Sequence, residues 1–236
     1  MSGLASVYED VDRLSKEILL SYENTHYVKN VLRKKVGDNL YVYSKLEKGL
    51  YNIKSIKKKF ILCERIEVKQ YEVSEKIIKV YQGNMKREYM DFVIEKYGEL
   101  GVYEVIIVLT EYSIKNVTEK KLLRYKKLLI NGAMQADLNF LPKLSLCESV
   151  FNINDNSAMK LCFYEKVEKK KFINKIEKTV SIFIGPEGGL SDNEVTALKE
   201  QGFVLISPLK GVIKAETAAV VFAGMVRSLM DCNEFV

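Results

Sequence analysis

The residues with the clearest chemical purpose are the glycines of a short turn at residues 185–189. Three of these five residues are glycine, which lets a backbone approach a ligand closely or adopt a positive φ angle. The turn follows residues 180–184, a β-branched and aromatic run that predicts a buried parallel strand. Open α/β sheets bind small molecules past the carboxyl ends of their strands, so the turn predicts a cofactor loop. A tight connection without a ligand is the alternative interpretation.

Two common phosphate-binding loops do not match this turn. The sequence has no Gly-x-Gly-x-x-Gly at the start of the following helix, and no Gly-Lys followed by Ser or Thr. Instead, Ser191 is followed three residues later by Glu194, a spacing that predicts a capping box and the start of a helix. The predicted cofactor loop is therefore of another kind.

Composition narrows the class of protein. The chain has 236 residues, 47% of them hydrophobic, and a net charge of +6 that permits a nucleic-acid partner without requiring one. No apolar run is long enough to span a membrane and the N-terminus does not resemble a signal peptide, so we expect a cytoplasmic protein. Four scattered cysteines and one histidine predict reduced thiols, mostly buried, and no metal site.

Short runs of β-branched and aromatic residues dominate the first third of the chain and predict a small β-barrel. Residues 27–33 predict a short helix, and Val7, Val11 and Leu14 have a spacing that would suit one side of another. We expect a domain boundary between residues 82 and 83, where the pattern changes. The predicted strands of this first domain are residues 16–21, 39–43, 50–56, 60–68 and 77–82.

The rest of the chain alternates helical and strand patterns, which predicts an α/β domain with a parallel sheet covered on both faces. The last predicted helix, residues 216–230, is apolar nearly all round. It must be buried on more than one side, either deep in the domain or at a subunit interface. The predicted strands are residues 102–109, 143–146, 159–164, 180–184 and 203–207, and the other predicted helices are residues 86–100, 119–133 and 192–201.

Five blocks of residues in this order resemble the ribosomal RNA small subunit uracil-N3 methyltransferase family, the RsmE family of the SPOUT class. The resemblance runs from about residue 16 to the C-terminus. Its most specific block is Gly-Pro-Glu-Gly-Gly-Leu-Ser at residues 185–191 with Glu194. The other blocks are His26 with residues 31–33 and 37–38; Lys86, Met90, Lys96 and residues 99–102, then 109–111 and Ser113; Gln135 with Pro142; and residues 216–218.

The resemblance implies a PUA-like, RNA-binding β-barrel over residues 1–82 and a SPOUT methyltransferase domain with a C-terminal trefoil knot over residues 83–236. It implies S-adenosylmethionine as cofactor, small-subunit ribosomal RNA as substrate, N3 of a uridine in 16S ribosomal RNA as the methylated atom, and a homodimer. The implied cofactor-binding residues are Thr110, Ile184, Gly185, Pro186, Glu187, Gly188, Gly189, Ser207, Pro208, Leu209, Val212, Ile213 and Ala215. The implied RNA-binding residues are Arg33, Lys210 and Lys214.

Methylation at a uracil nitrogen requires removal of a proton, and two carboxylates lie beside the implied pocket. Glu187 and Glu216 are the candidate catalytic residues. In the alternative interpretation, Glu187 satisfies backbone donors and Glu216 caps the last helix.

Several positions depart from the family pattern, including the family glycine, which is absent at its usual place before Gly211. Tyr112, Leu138, Gly211 and Lys214 stand where family members usually carry arginine, and lysine does not reproduce the bidentate fork of a guanidinium group. A divergent RNA-binding paralogue, with an altered substrate or without catalysis, is therefore the alternative function. A methyltransferase acting at another RNA site also stays open.

Overall fold

The structure, a computed structural model, describes residues 5–72, 75–167, 176–207 and 211–232. It divides into two compact units. The first comprises Met1–Val73 with Ala133–Leu141, and the second comprises Ser74–Gly132 with Pro142–Val236. The boundary expected after residue 82 therefore falls inside the second unit.

The first unit is built on a five-stranded sheet with the strand order β1-β3-β4-β5-β2. Its strands are β1 (Ser6–Tyr8), β2 (Glu17–Leu19), β3 (Asn39–Tyr43), β4 (Glu47–Ile56) and β5 (Ile61–Gln70), and its helical segment is α1 (Tyr22–His26) followed by a π-helical turn (Tyr27–Val31). The β1–β3 pair is parallel and the other pairs are antiparallel. Val7, Leu40 and Tyr51 belong to its hydrophobic core.

Two local expectations for the first unit are corrected. A helix containing Val7 was expected, yet Ser6–Tyr8 is a strand in which Val7 is buried between two partly exposed neighbours. Pairing with β3 outweighs the helical spacing of three residues, because it satisfies the backbone hydrogen-bonding groups of this strand. The helical segment begins at Tyr22 rather than residue 27, because the Ser21 hydroxyl caps it by accepting from the N–H of Asn24.

The second unit is built on a six-stranded, all-parallel sheet with the strand order β11-β9-β10-β6-β7-β8. Its strands are β6 (Ile77–Gly83), β7 (Glu104–Val108), β8 (Lys143–Cys147), β9 (Met159–Phe163), β10 (Thr179–Ile184) and β11 (Val204–Ile206). The helices that accompany them in sequence are α2 (Arg87–Glu99), α3 (Glu119–Gln135), α4 (Asp192–Glu200) and α5 (Ala215–Asp231), with a 3-10 turn at Val150–Asn152.

Strand β6 was assigned to the wrong sheet by the sequence pattern. It pairs with β10 on one side and β7 on the other, with Val80 opposite both Ile182 and Val105. A β-branched run shows that a segment is a strand but does not show which strand will be its partner. The parallel α/β sheet itself is confirmed.

Both faces of this sheet are buried, as expected for parallel strands. Val80 and Ile182 point into a core that includes residues of α2 and α5. The next residues along each strand, Tyr81 and Phe183, point into a second core that includes residues of α4. Helices therefore cover both faces of the sheet, and a ligand can reach the sheet at the ends of its strands.

Helix α5 packs on α2 through one buried face, which contains Phe222 and Val226. Arg227 reinforces this packing because its guanidinium donates to the backbone oxygens of Leu100 (2.9 Å) and Gly101, at the C-terminal end of α2. Val220, on another side of α5, is partly exposed. None of the described helices is long and apolar enough to cross a membrane.

A buried carboxylate organises the polar interior beneath β6 and β10. The side chain of Asp155 is fully buried and accepts from Tyr81 Oη (2.9 Å), Ser181 Oγ (2.8 Å) and the N–H of Ser157 (2.8 Å), while Lys79 Nζ lies 3.5 Å away. Burial acts to raise the pKa of Asp155, but these hydrogen bonds outweigh it and lower the pKa below its ordinary value. The network therefore stabilises the fold while Asp155 is ionised.

We expect Asp155→Ala to lower the free energy of unfolding by about 3 kcal/mol at pH 7, because three buried donors lose their acceptor. A group with a depressed folded pKa stabilises above its unfolded pKa of about 3.9, and this stabilisation is lost as pH falls through the folded pKa. The difference between wild type and variant should therefore shrink on acidification. Urea unfolding of both proteins at pH values between neutral and acid measures this difference in the free energy of unfolding.

The matched control is Glu200→Ala, which removes an exposed carboxylate and should change stability by less than about 0.5 kcal/mol. Equal losses in the two variants would contradict the structural role of Asp155.

Candidate functional site

A cavity of about 550 Å³ lies at the carboxyl ends of the central strands of the second unit. Four segments line it: the start of α2, the residues after β9, the turn after β10, and the start of α5 with the residues before it. These lining residues are Lys86 and Tyr89; Phe163, Tyr164 and Glu165; Ile184, Gly185, Pro186, Glu187, Gly188, Gly189 and Leu190; and Val212, Ile213, Lys214, Ala215, Glu216 and Ala218.

The strand order explains why these segments meet. Strand β10 lies between β9 and β6, so the chain leaves three neighbouring parallel strands at one edge of the sheet. Open α/β folds bind ligands at the carboxyl ends of their strands, at the point where the strand order reverses. The cavity lies at such a point. The aromatic wall is anchored because Phe163 stacks on Phe222 of α5, with ring centroids 3.5 Å apart.

The glycines of the turn after β10 have different roles. Gly189 has a φ angle of +75°, one of the two uses that the sequence left open for these glycines. At Gly188, a Cβ atom would lie 2.7 Å from Tyr112 Cβ, so glycine is required there by a neighbouring loop. At Gly83, the end of β6, a Cβ would lie 2.5 Å from Pro186 Cδ. The turn is thus packed tightly against the end of β6 and the loop that contains Tyr112.

The two candidate catalytic carboxylates both line the cavity, but their surroundings differ. Glu187 Oε1 accepts from the N–H of Lys86 (3.0 Å), the residue that precedes the first turn of α2. Glu187 therefore satisfies a backbone donor, although at a helix start rather than within its own loop. Glu216 lies in the first turn of α5 with its side chain 15% exposed, and its Oε1 is 3.9 Å from Lys214 Nζ.

The predicted capping box at the start of α4 is confirmed. Ser191 and Glu194 make both of its hydrogen bonds, and Glu194 Oε2 accepts from the N–H of Ser191 (3.0 Å). The box fixes the point where the turn ends and the helix begins, so the turn is held at both ends by regular structure.

Most of the predicted cofactor residues line the cavity, but two described ones do not. Thr110 and Ser207 are absent from its walls. Thr110 follows β7, which β6 separates from β10, and it is fully buried with no hydrogen-bond partner for Oγ1 in the described structure. Pro208, Leu209 and Lys210 lie outside the described residues. Thr110, Ser207, Pro208 and Leu209 therefore stay predicted cofactor residues.

Of the predicted RNA-binding residues, Lys214 lines the cavity and its side chain is 79% exposed. Arg33 belongs to the first unit, where it follows the π-helical turn with a φ angle of +52°. Such a conformation is uncommon for a residue with a side chain.

Sequence reasoning missed several lining residues because they depend on strand order. Lys86 and Tyr89 follow β6, which was placed in the wrong sheet. Phe163 ends β9, and Tyr164 and Glu165 follow it. An aromatic and charged group directly after a buried strand was the available signal. Leu190 and Ala218 complete the missed set.

No group of three or more His, Cys, Asp or Glu side chains that would hold a metal ion occurs among the described residues. All four cysteines are free thiols, with Cys63 and Cys162 buried, Cys147 partly buried and Cys232 exposed. Burial raises the pKa of Cys63 to about 12, so this thiol stays protonated at neutral pH.

Comparison with protein families and curated proteins places this geometry among RNA-modifying enzymes. Residues 72–227 match the family model described as RNA methyltransferase domain. Ribosomal RNA small subunit methyltransferase E of Buchnera aphidicola is 30% identical over 226 residues, covering 91% of this chain and 88% of that protein. The protein of the same name from Aquifex aeolicus is 30% identical over 172 residues, covering 69% and 73%.

Solved structures share the fold. A putative methyltransferase from Legionella pneumophila, in complex with S-adenosylmethionine, superposes with a TM-score of 0.84 at 24% identity and covers 96% of this chain and 98% of that one. A ribosomal RNA small subunit methyltransferase E from Neisseria gonorrhoeae, bound to S-adenosylmethionine, has the same TM-score and coverage at 21% identity.

Gly188→Ala is expected to lower the free energy of unfolding by about 1–3 kcal/mol, because its methyl group would lie 2.7 Å from Tyr112 Cβ. The same change at Gly185 meets Leu190 Cγ at 3.4 Å and should cost less than about 1 kcal/mol. Urea unfolding compares the two variants.

A second substitution tests the cause. Tyr112→Gly removes the clashing Cβ and should restore part of the stability lost in Gly188→Ala, whereas Tyr112→Ala keeps that atom and should restore none. Equal stability of the Gly185 and Gly188 variants would show that the loops can separate at no cost.

Proposed function

Because this chain belongs to the RNA methyltransferase family that includes ribosomal RNA small subunit methyltransferase E, we propose that it methylates N3 of a uridine in 16S ribosomal RNA, using S-adenosylmethionine. The observation that carries this proposal is that the family match contains the whole lining of the cavity. The family match spans residues 72–227, and every residue that lines the cavity lies within it.

The cavity suits S-adenosylmethionine in size and charge. When bound, this cofactor supplies a methyl group attached to a positively charged sulfur. It also carries one ammonium and one carboxylate, so its net charge is one positive. The cavity volume of about 550 Å³ is typical of ligand sites, and its walls carry three carboxylates against two ammonium groups. These groups are Glu165, Glu187 and Glu216, and Lys86 and Lys214.

We assign cofactor binding to the described predicted residues that line the cavity. The turn after β10 offers backbone groups where glycine leaves them uncovered, and Val212 and Ile213 offer apolar contacts for an uncharged ring. The assigned residues are Ile184, Gly185, Pro186, Glu187, Gly188, Gly189, Val212, Ile213 and Ala215.

Methyl transfer to N3 depends on alignment and on removal of the N3 proton. We assign the proton acceptor to Glu216, since one oxygen of Glu187 already accepts from the backbone of Lys86. Glu216 is mostly shielded from solvent and lies on the cavity wall. Its carboxylate would take the N3 proton as the nitrogen–methyl bond forms and the sulfur–methyl bond of the cofactor breaks, with the electron pair of that bond left on a neutral thioether sulfur. Lys214, exposed beside it, would attract the RNA phosphates.

Three further features complete the proposal: a closed, PUA-like RNA-binding barrel in the first unit, a trefoil knot in the segment after β11, and a homodimer. The partly exposed Val220 side of α5 supports the dimer. Sedimentation at micromolar concentration tests it, and a strict monomer would contradict it. An enzyme of ribosomal RNA would work in the cytoplasm.

Single-turnover transfer of labelled methyl to small subunits that lack the modification tests the function. Wild-type protein should label one uridine at N3. Glu216→Gln should slow transfer by roughly 10²-fold or more, because it removes the proton acceptor. Glu187→Gln keeps an oxygen that can accept from Lys86 and should slow transfer by less than about tenfold. Calorimetric titration should show that both variants still bind the cofactor.

Two outcomes would count against these assignments. Unchanged transfer by Glu216→Gln would remove Glu216 from proton transfer. Absence of transfer by the wild-type protein would contradict the enzyme and favour the divergent paralogue.

Substitutions at Lys214 distinguish an enzyme in which lysine serves as well as arginine from one whose RNA substrate is altered. Lysine keeps the attraction to phosphate but lacks the second hydrogen bond of arginine, so orientation should suffer more than affinity. Lys214→Arg is expected to raise the transfer rate more than it raises RNA affinity, and Lys214→Ala to lower both. Transfer rates and RNA binding over a salt series measure this. A rate unchanged by Lys214→Arg would make the missing arginine irrelevant to the reaction.

A further inference from the structure

Glu194 connects two loops that are 83 positions apart in sequence. Its side chain is buried, with the residue 4% exposed, and it does not line the cavity. Oxygen Oε2 serves the capping box by accepting from Ser191. The other oxygen, Oε1, accepts from the N–H of Glu111 at 2.7 Å, in the loop after β7. The capping box involves only the hydrogen bonds between Ser191 and Glu194. The bond to Glu111 is therefore a second interaction of the Glu194 carboxylate, outside the capping box.

The loop that Glu111 belongs to is itself well fixed. Ser113 Oγ accepts from the N–H of Thr110 and donates to the oxygen of Thr110, both at 2.9 Å, and Lys115 Nζ also donates to that oxygen. Farther along, the N–H of Ile114 donates to the oxygen of Asn84, just after β6. This loop, residues 110–114, is therefore a firm support rather than a mobile segment.

The supporting loop touches the turn after β10 at a second point. Gly188 lies so close to Tyr112 that a Cβ atom on the glycine would be 2.7 Å from Tyr112 Cβ. The same turn, Gly188 included, lines the cavity. A shift of residues 110–114 would therefore change the position of the Gly188 backbone at the cavity wall.

We propose that Glu194 is a positioning residue, which holds the loop after β7 against the turn after β10 and so fixes the cofactor wall of the cavity. This role rests on the proposed function. Both carboxylate oxygens are needed, because each accepts from a different backbone donor and both hydrogen bonds are partly shielded from water. Hydrogen bonds to an ionised acceptor are also stronger than neutral ones.

The chemistry of the side chain provides a matched set of variants. Glu194→Asp is one methylene shorter, so it can still cap α4 but cannot reach Glu111. Glu194→Gln keeps the length of the side chain, but its amide has only one oxygen. The NH₂ group would face one of the two N–H donors, that of Ser191 or that of Glu111, and cannot accept from it. Ser191→Ala is the control, because it removes the hydroxyl of the capping box and leaves the bond between Glu194 and Glu111.

Two measurements separate positioning from simple stabilisation. In protein without cofactor, amide hydrogen exchange at Glu111 should become at least about tenfold faster in Glu194→Asp and Glu194→Gln, and change less than about twofold in Ser191→Ala. Calorimetric titration should show S-adenosylmethionine bound about tenfold or more weakly by both Glu194 variants, and within about twofold of wild type by Ser191→Ala. Ser191→Ala should nevertheless have a lower Tm, through the weakened cap.

Each result decides a different point. Cofactor affinity at the wild-type level in both Glu194 variants would overturn the positioning role, whatever their Tm. Unchanged exchange at Glu111 would show that the bond does not hold the loop, and would overturn it as well. If the wild-type protein binds no S-adenosylmethionine, the proposed function fails instead, and the exchange measurements still report whether Glu194 joins the two loops.

Discussion

The position of one turn determines the geometry of the candidate site. The turn after β10 is held by the packing of Pro186 on Gly83, by the hydrogen bond from Lys86 to Glu187, and by the close approach of Gly188 to Tyr112. Each contact joins the turn to a segment that follows β6 or β7. Glu194, at the far end of the turn, adds a partly buried hydrogen bond to the same supporting loop. A backbone held in this way is preorganised, so binding a ligand requires little further ordering.

The strand order makes this arrangement possible. Because β10 is inserted between β9 and β6, its turn emerges at the centre of one sheet edge, with the end of β9 on one side and the start of α2 on the other. Both faces of the sheet are filled by hydrophobic cores, so the strand ends are the place where a ligand can enter. The buried Asp155 network lies between Tyr81 of β6 and Ser181 of β10, and joins the same two strands through polar contacts.

Local features of this structure could be predicted from sequence, whereas long-range pairings could not. Strand β10 and the capping box at Ser191 each depend on neighbouring residues, and both are confirmed. The membership of β6 in the parallel sheet depends on partners about 25 and 100 residues away, which its own pattern does not encode. Lys86 and Tyr89 were missed for that reason.

The cavity walls combine a glycine turn, apolar side chains and one more carboxylate than ammonium groups, which suits a cofactor with one net positive charge. Family membership supports RNA as the substrate class. The most direct test is mass spectrometry of the nucleosides in small-subunit ribosomal RNA from cells with and without this chain. Methylation of N3 on a uridine should be present with the chain, absent without it, and restored when the wild-type protein is returned. Identical nucleoside content in the two RNA samples would contradict the proposed reaction.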